Sequence, residues 1–196
     1  MFKKTKRILS GLVAMSMMAL LTTGCGNTNS NEIKIGANLE MTGNTATFGQ
    51  SATNGAKLAI KQVNAKGGVL GKQITLVVAD NKSDTAEAAN AMQKLATQDK
   101  VIASIAPIAS SSVMAAAQVN ESAKILGISP TASNPNVTVD PETGKVRDYL
   151  FRATFIDPFQ GAVMANFAKN TLKAQKAAVY IENSSDYAKG LGKFFK

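Results

Sequence analysis

The chain has no histidine, no tryptophan, one cysteine and five prolines in 196 residues, and only 6% of it is aromatic. Each shortage closes a class of chemistry. Without histidine there is no imidazole to act as the base of a Ser-His-Asp or Cys-His nucleophile system, or as the usual zinc ligand. A lone cysteine cannot close an intrachain disulfide, so folding relies on core packing. A phosphate-cradling loop is missing too, because Gly67, Gly68 and Gly71 follow a helical pattern instead of joining a strand to a helix. Basic residues outnumber acidic ones, 22 to 13, yet Lys3, Lys4, Lys6 and Arg7 are bunched at the start and the remaining lysines are interspersed with acids. With no arginine-rich helix and no interleaved aromatics, this charge argues against a nucleic-acid partner. Asp80, Asp84 and Asp157 are each explained by a loop or a helix start, so paired-carboxylate catalysis has no support. These absences favour binding without catalysis, with no metal and no cofactor.

The amino-terminal segment has the three-part layout of a secretory signal: basic Lys3 to Arg7, a mainly apolar Ile8 to Leu21, then Thr22-Thr23-Gly24-Cys25. The apolar run is too short to span a bilayer as a stable helix. Cys25 stands behind the small Gly24, where a bacterial lipoprotein is cleaved and its new terminal cysteine acylated, although Thr22 occupies a place where leucine is commoner. The expected organisation is a lipoprotein signal peptide over 1–24 and a polar tether over 25–31, GNTNSN following Cys25. A secreted protein with an incidental cysteine is the plainer alternative.

From Glu32 onward, short β-branched runs alternate with longer helical ones, the signature of an α/β fold with a doubly wound parallel sheet. The spacing predicts strands over 33–39, 73–79, 101–105, 125–128, 151–155 and 177–181. Met41 to Gln50 reads as a loop, followed by a helix over 51–65 with Ala52, Ala56, Ala59, Ile60 and Val63 on one face. Asp84 with Glu87 three residues later predicts a capped helix over 85–98, whose Ala88, Met92 and Leu95 form a buried stripe. Val137/Val139 and Val146/Tyr149 flank Pro141 to Gly144 as a surface hairpin. Asp157-Pro158 opens a helix with Phe159, Val163, Phe167 and Ala168 inward.

Ile105 to Pro135 draws the most attention. Ser110, Ser111 and Ser112 stand at a helix start, where backbone N–H groups lack partners and the helix dipole is positive, a place for an anion. Ser129, Thr131 and Ser133 follow the next strand, so two neighbouring strands bring small hydrogen-bonding residues to one sheet edge. The plainer alternative makes one serine an N-cap and the others loop filler.

The opening stretch EIKIGANLEMTGNTATFGQSATNGAKLAIKQVNAKGGVLGKQITLVVADNKSD, the SSS before ILGISPTAS, FRATFIDPFQG and the YIENSSDYAKG loop together resemble the leucine/isoleucine/valine-type, or branched-chain amino acid, binding proteins of ABC transporters. The resemblance runs in order from Glu32 to Lys196. It implies the type I periplasmic binding fold, two doubly wound parallel-sheet lobes joined by a hinge and closing over one small ligand. It places the first lobe at 32–152 and the start of a second, truncated lobe at 153–196. Carried over by residue, Phe48 is the first-loop aromatic against the ligand side chain, in place of a commoner tyrosine. Ser110 holds the ligand carboxylate by its hydroxyl and backbone N–H. Thr131 offers a backbone carbonyl to the ammonium, Ala132 contributes backbone, Ser133 offers a hydroxyl, and Tyr187 closes from the second lobe. For Phe48 and Tyr187, a packed loop aromatic is the alternative.

The implied protein is a monomeric, extracytoplasmic lipoprotein, anchored through Cys25 to the outer face of a bacterial cytoplasmic membrane. It would deliver an amino acid to an ABC permease. A ligand-sensing ectodomain or regulator on the same fold is the alternative.

Overall fold

The computed structural model describes residues 32–196, so the signal peptide, the tether and Cys25 lie outside the described residues. Five strands, β1 (Glu32–Leu39), β2 (Gln73–Asp80), β3 (Ala103–Ile105), β4 (Leu126–Ser129) and β5 (Leu150–Arg152), form one all-parallel sheet in the order β2-β1-β3-β4-β5. The helices are α1 (Ala46–Ala65), α2 (Thr85–Lys94), α3 (Ser110–Ala123), α4 (Asp157–Asn166) and α5 (Asp186–Phe195). Strand order reverses between β1 and β3. That crevice at the carboxyl ends of the strands is where open α/β sheets bind ligands.

The core lies where α2 and α3 cover the sheet. Met92 and Leu95 from the α2 segment meet Val101, Ala116 and Ile125, while Val113 and Ala117 of α3 pack on Ala106, Ala132, Val137 and Leu150. Local chemistry sets the joints. The Asp84 side chain accepts the Glu87 N–H at 2.9 Å and starts α2 as predicted. Gly68, at positive φ, lies where a Cβ would be 1.9 Å from the Lys72 carbonyl oxygen, so glycine is required after α1.

Several boundaries differ from the sequence reading. Helix α1 begins at Ala46, so Phe48 stands in its first turn and not in a loop. Tertiary contacts explain this: Ser83 Oγ bonds the Thr45 N–H, and Gly49 sits so close to Glu40 that a Cβ would overlap the Glu40 carbonyl. Helix α2 loosens into a π turn over Leu95–Asp99, and β3 keeps only its last three predicted residues. Ala52, Ala56, Ile60 and Val63 of α1 are half-buried, and Ala59 is exposed. The predicted hairpin shrinks to one antiparallel bridge, Val139 to Val146, after a 3-10 turn at Pro135–Val137.

The larger corrections concern residues 153–196. The strand predicted over 151–155 is observed as Leu150–Arg152, and 177–181 forms no strand. Phe159, Val163 and Phe167, predicted to face inward, are exposed, and Ala168 is half-buried. The cause is common to all: a strand requires neighbours for its N–H and C=O groups, and no sheet forms here for α4 to cover. What α4 packs against is α5, where Gly161 lets the Phe194 backbone approach.

Candidate functional site

Loops leaving β1, β3 and β4 converge on a cleft of about 490 Å³ at the strand-order reversal. One wall carries Thr45 and Phe48, then Ile108 to Ser111, then Thr131 and Ser133. Phe155, Gln160, Glu182, Ser185 and Tyr187 form the other.

On the first wall, Ser110 opens α3 and is buried. None of the three serines caps the helix: the N-cap is Ala109, without a side-chain bond. Ser110 Oγ instead accepts the Asn134 N–H at 3.3 Å, which leaves its own O–H to donate. A carboxylate of the protein's own sits behind the helix start. Glu40, fully buried at the end of β1, accepts the Ile108 N–H at 3.0 Å and the Ala109 N–H at 3.1 Å. The N–H groups of Ser110, Ser111 and Ser112 then remain as the first-turn donors without an intrahelical acceptor.

The β4 loop is stapled to the β3 loop. Ser129 Oγ donates to the Pro107 carbonyl at 2.8 Å and accepts the Ala132 N–H, while Thr131 Oγ1 donates to the Ile108 carbonyl at 2.9 Å. Ser133 reaches the cleft, but Ala132 does not. Ala132 is buried in the core, its N–H taken by Ser129 and its carbonyl by Arg152 Nη1. Arg152 also donates to the Asn134 and Pro135 carbonyls and to Thr138 Oγ1. Behind Ser133 lies Asp157, also fully buried. Burial pushes its carboxyl above the usual range, and the Ser133 hydroxyl and the Arg152 charge oppose that rise.

On the second wall, Tyr187 stands in the first turn of α5, and its hydroxyl exchanges hydrogen bonds with the Gln160 amide at 3.1 and 3.4 Å. Ser185 caps α5 by accepting the Ala188 N–H. Glu182 is the charged side chain of the lining, and Ser184 Oγ donates to its Oε1 at 2.5 Å. The cleft thus gathers Phe48, Ser110, Thr131, Ser133 and Tyr187 as the sequence reading expected, and omits Ala132. Sequence reasoning missed Glu40, Phe155, Gln160 and Glu182. The strand-end position of Glu40 was the available signal. A second hollow of about 270 Å³, between Met164, Val179, Ile181 and Leu191, is mainly apolar.

A family described as periplasmic binding protein matches residues 32–193. The chain is similar to an amino acid binding protein of Pseudomonas aeruginosa, 34% identical over 95% of this chain and 48% of that protein. It is also similar to a leucine-specific-binding protein of Salmonella typhimurium, 31% identical over 98% of this chain and 48% of that one. Among solved structures, it superposes on the branched-chain amino acid transporter substrate binding protein LivJ from Streptococcus pneumoniae in complex with isoleucine. The TM-score is 0.77 and the identity 43%, over 84% of this chain and 45% of that one. A leucine binding protein, LivK, from Thermotoga maritima superposes with a TM-score of 0.76 and 37% identity, over 83% of this chain and 44% of that one. The chain spans about half the length of the relatives it matches.

Proposed function

The chain belongs to the periplasmic binding protein family, a family of solute binders and not of enzymes, and on that premise we propose that the complete protein captures an amino acid between two lobes and hands it to an ABC importer. The ligand is a branched-chain amino acid or a similar small zwitterion. The observation that carries this reading is the juxtaposition of a donor-rich helix start with two aromatic flanks across one cleft. First-turn N–H groups and the Ser110 hydroxyl suit a carboxylate without adding net charge. The Thr131 carbonyl and the Ser133 hydroxyl suit an ammonium, and the buried backbone of Ala132 fixes the spacing between them. Phe48, Phe155 and Tyr187 offer apolar area to a side chain. The isoleucine in the Streptococcus pneumoniae relative supports the same ligand class.

In this reading residues 32–152 form the first lobe and 153–196 begin the second. Ligand bridging the two walls shifts the population toward a closed form by its differential affinity for the two states. Residues 1–24 direct export, 25–31 tether the domain, and acylated Cys25 anchors it outside the cytoplasmic membrane.

Calorimetric titration of the complete mature protein against a panel of amino acids tests the binding role, with saturable heat expected from a branched-chain member. No heat from any amino acid would remove the reading. Anchoring is tested separately: Cys25→Ala should abolish lipid labelling. Persistent labelling of that variant would sink the lipoprotein assignment.

A further inference from the structure

A buried asparagine has four polar groups to satisfy, and Asn134 commits each of them to a different segment. Its N–H donates to Ser110 Oγ at 3.3 Å, and its carbonyl accepts Arg152 Nη1 at 2.8 Å. In the side chain, Oδ1 accepts the Asn136 N–H at 2.9 Å and Nδ2 donates to the Asp186 carbonyl at 2.9 Å. These last two bonds settle which end of the amide is which, since an N–H needs the oxygen and a carbonyl needs the nitrogen. Pro135 restricts the residue before it to extended backbone, and Asn134 lies there at φ −62° and ψ 132°. The Asp186 bond crosses from one wall to the other. Asn134 follows Ser133 of the first wall, whereas Asp186 opens α5 directly before Tyr187 of the second. The side chains around Asp186 are occupied: its carboxylate pairs with Lys189 at 2.8 Å, and Ser185 caps the helix. Gly190 makes the approach possible, because a Cβ there would stand 3.0 Å from Asn134 Nδ2.

We propose that Asn134 is a positioning residue that ties the capture of the ligand carboxylate to the placement of the second wall. Its N–H occupies the Ser110 oxygen and so leaves that hydroxyl to donate, while its side-chain amide holds the first turn of α5, and with it Tyr187, to the same residue. Arg152, the last residue of β5, fixes the Asn134 carbonyl, so this hub sits where the chain passes from the first stretch to the second. The proposal rests on the amino acid reading above, in which Ser110 meets the carboxylate and Tyr187 closes on the ligand. The backbone half of the device survives any substitution and the side-chain half does not, so the two can be separated.

The test uses the complete protein and radiolabelled L-isoleucine, with association followed on mixing and dissociation by a chase of unlabelled ligand. Asn134→Ser keeps a short acceptor for the Asn136 N–H and leaves the backbone bonds to Ser110 and Arg152, while it removes the donor to Asp186. The dissociation rate should rise about three- to tenfold, the worth of one neutral hydrogen bond, and the association rate should hold. Asn134→Asp keeps the shape and turns an oxygen on the Asp186 carbonyl. It should raise the dissociation rate at least as much, and it decides where the serine variant does not fold. In a Tyr187→Ala background, Asn134→Ser should have no further effect on dissociation, because the ring whose placement it controls has gone. An unchanged dissociation rate, a loss confined to association, or full additivity with Tyr187→Ala would each overturn the proposal. A lowered denaturant midpoint without faster dissociation would overturn it too, leaving Asn134 with a role in folding alone. If the unmodified protein binds L-isoleucine and the variants release it at the same rate, only this inference falls. If the unmodified protein binds no amino acid, the underlying reading falls and takes the inference with it.

Discussion

Residues 32–152 and residues 153–196 draw on the same vocabulary of apolar β-branched runs and amphipathic helices, and they reach different ends. The first stretch closes a five-stranded sheet over fully buried Leu39, Leu95, Val113 and Val137. The second has no strand and leaves Phe159, Val163, Phe167 and Leu172 each at least half exposed. The difference teaches that an apolar pattern specifies a face and not its burial. Burial depends on a sheet, and a sheet depends on neighbouring strands that satisfy one another's backbone groups.

The comparison can be broken most directly by matched core deletions in the 196-residue chain. Leu150→Ala should cost about 2 to 5 kcal/mol of stability, because it empties a packed site beside Val113 and Val137. Phe167→Ala should stay within about 0.5 kcal/mol. Denaturant midpoints for the two variants measure the contrast, and equal losses would erase it. The exposed faces of the second stretch should also make this chain fluoresce with an apolar dye.

Next in size is Ser110→Ala in the complete protein, which sharpens the claim that the well-packed stretch supplies a finished wall. Removing a charge-assisted donor should weaken ligand binding by about 1.5 to 3 kcal/mol, roughly ten- to a hundredfold in Kd. The Asn134 N–H loses its acceptor in the same variant, at about 1 kcal/mol of folding stability. An unaltered Kd beside a lowered midpoint would leave Ser110 with a structural role alone.

The smallest effect belongs to Asp80, which anchors the chain between β1 and α1. Desolvation works against its charge, but bonds from the Lys82 N–H, the Thr42 hydroxyl and N–H, and the Met41 N–H outweigh it and hold the carboxyl below its usual value. Its contribution is therefore complete above the unfolded carboxyl pKa of about 4 and is lost as pH falls through the lower folded value. Because the group is partly solvated, Asp80→Asn should cost less than about 1 kcal/mol at neutral pH. The variant should flatten the stability profile below about pH 4. A profile parallel to that of the unmodified protein would show that these bonds add nothing.

Much of the fold was legible where a local motif forces the backbone. The Asp84 cap, the glycines after α1 and the alternation of elements all act within a few residues. The cleft was legible to the extent that small polar residues follow strand ends. Long-range partners hid the rest. Glu40 stands in no local motif, and only its reach across 68 and 69 residues to Ile108 and Ala109 makes it a buried structural acceptor. Asp157-Pro158 reads as an ordinary helix start, and its burial depends on the backbone of Gly190. Met41 to Gln50 reads as loop because Gly, Asn and Thr favour turns, but the bonds between Thr45 and Ser83 and the fit of Gly49 on Glu40 recruit Ala46 onward into α1.

The staples joining the β3 and β4 loops have a kinetic consequence. Ser129 on Pro107, Thr131 on Ile108 and Glu40 on two N–H groups tie one side of the cleft together through the protein's own bonds. In the proposed role, a solute docks in one encounter on a surface that needs no rearrangement, and closure of the Tyr187–Gln160 side sets its residence time. Substitutions on the stapled side should therefore register in how readily the solute is caught, and those at Tyr187 in how long it is kept.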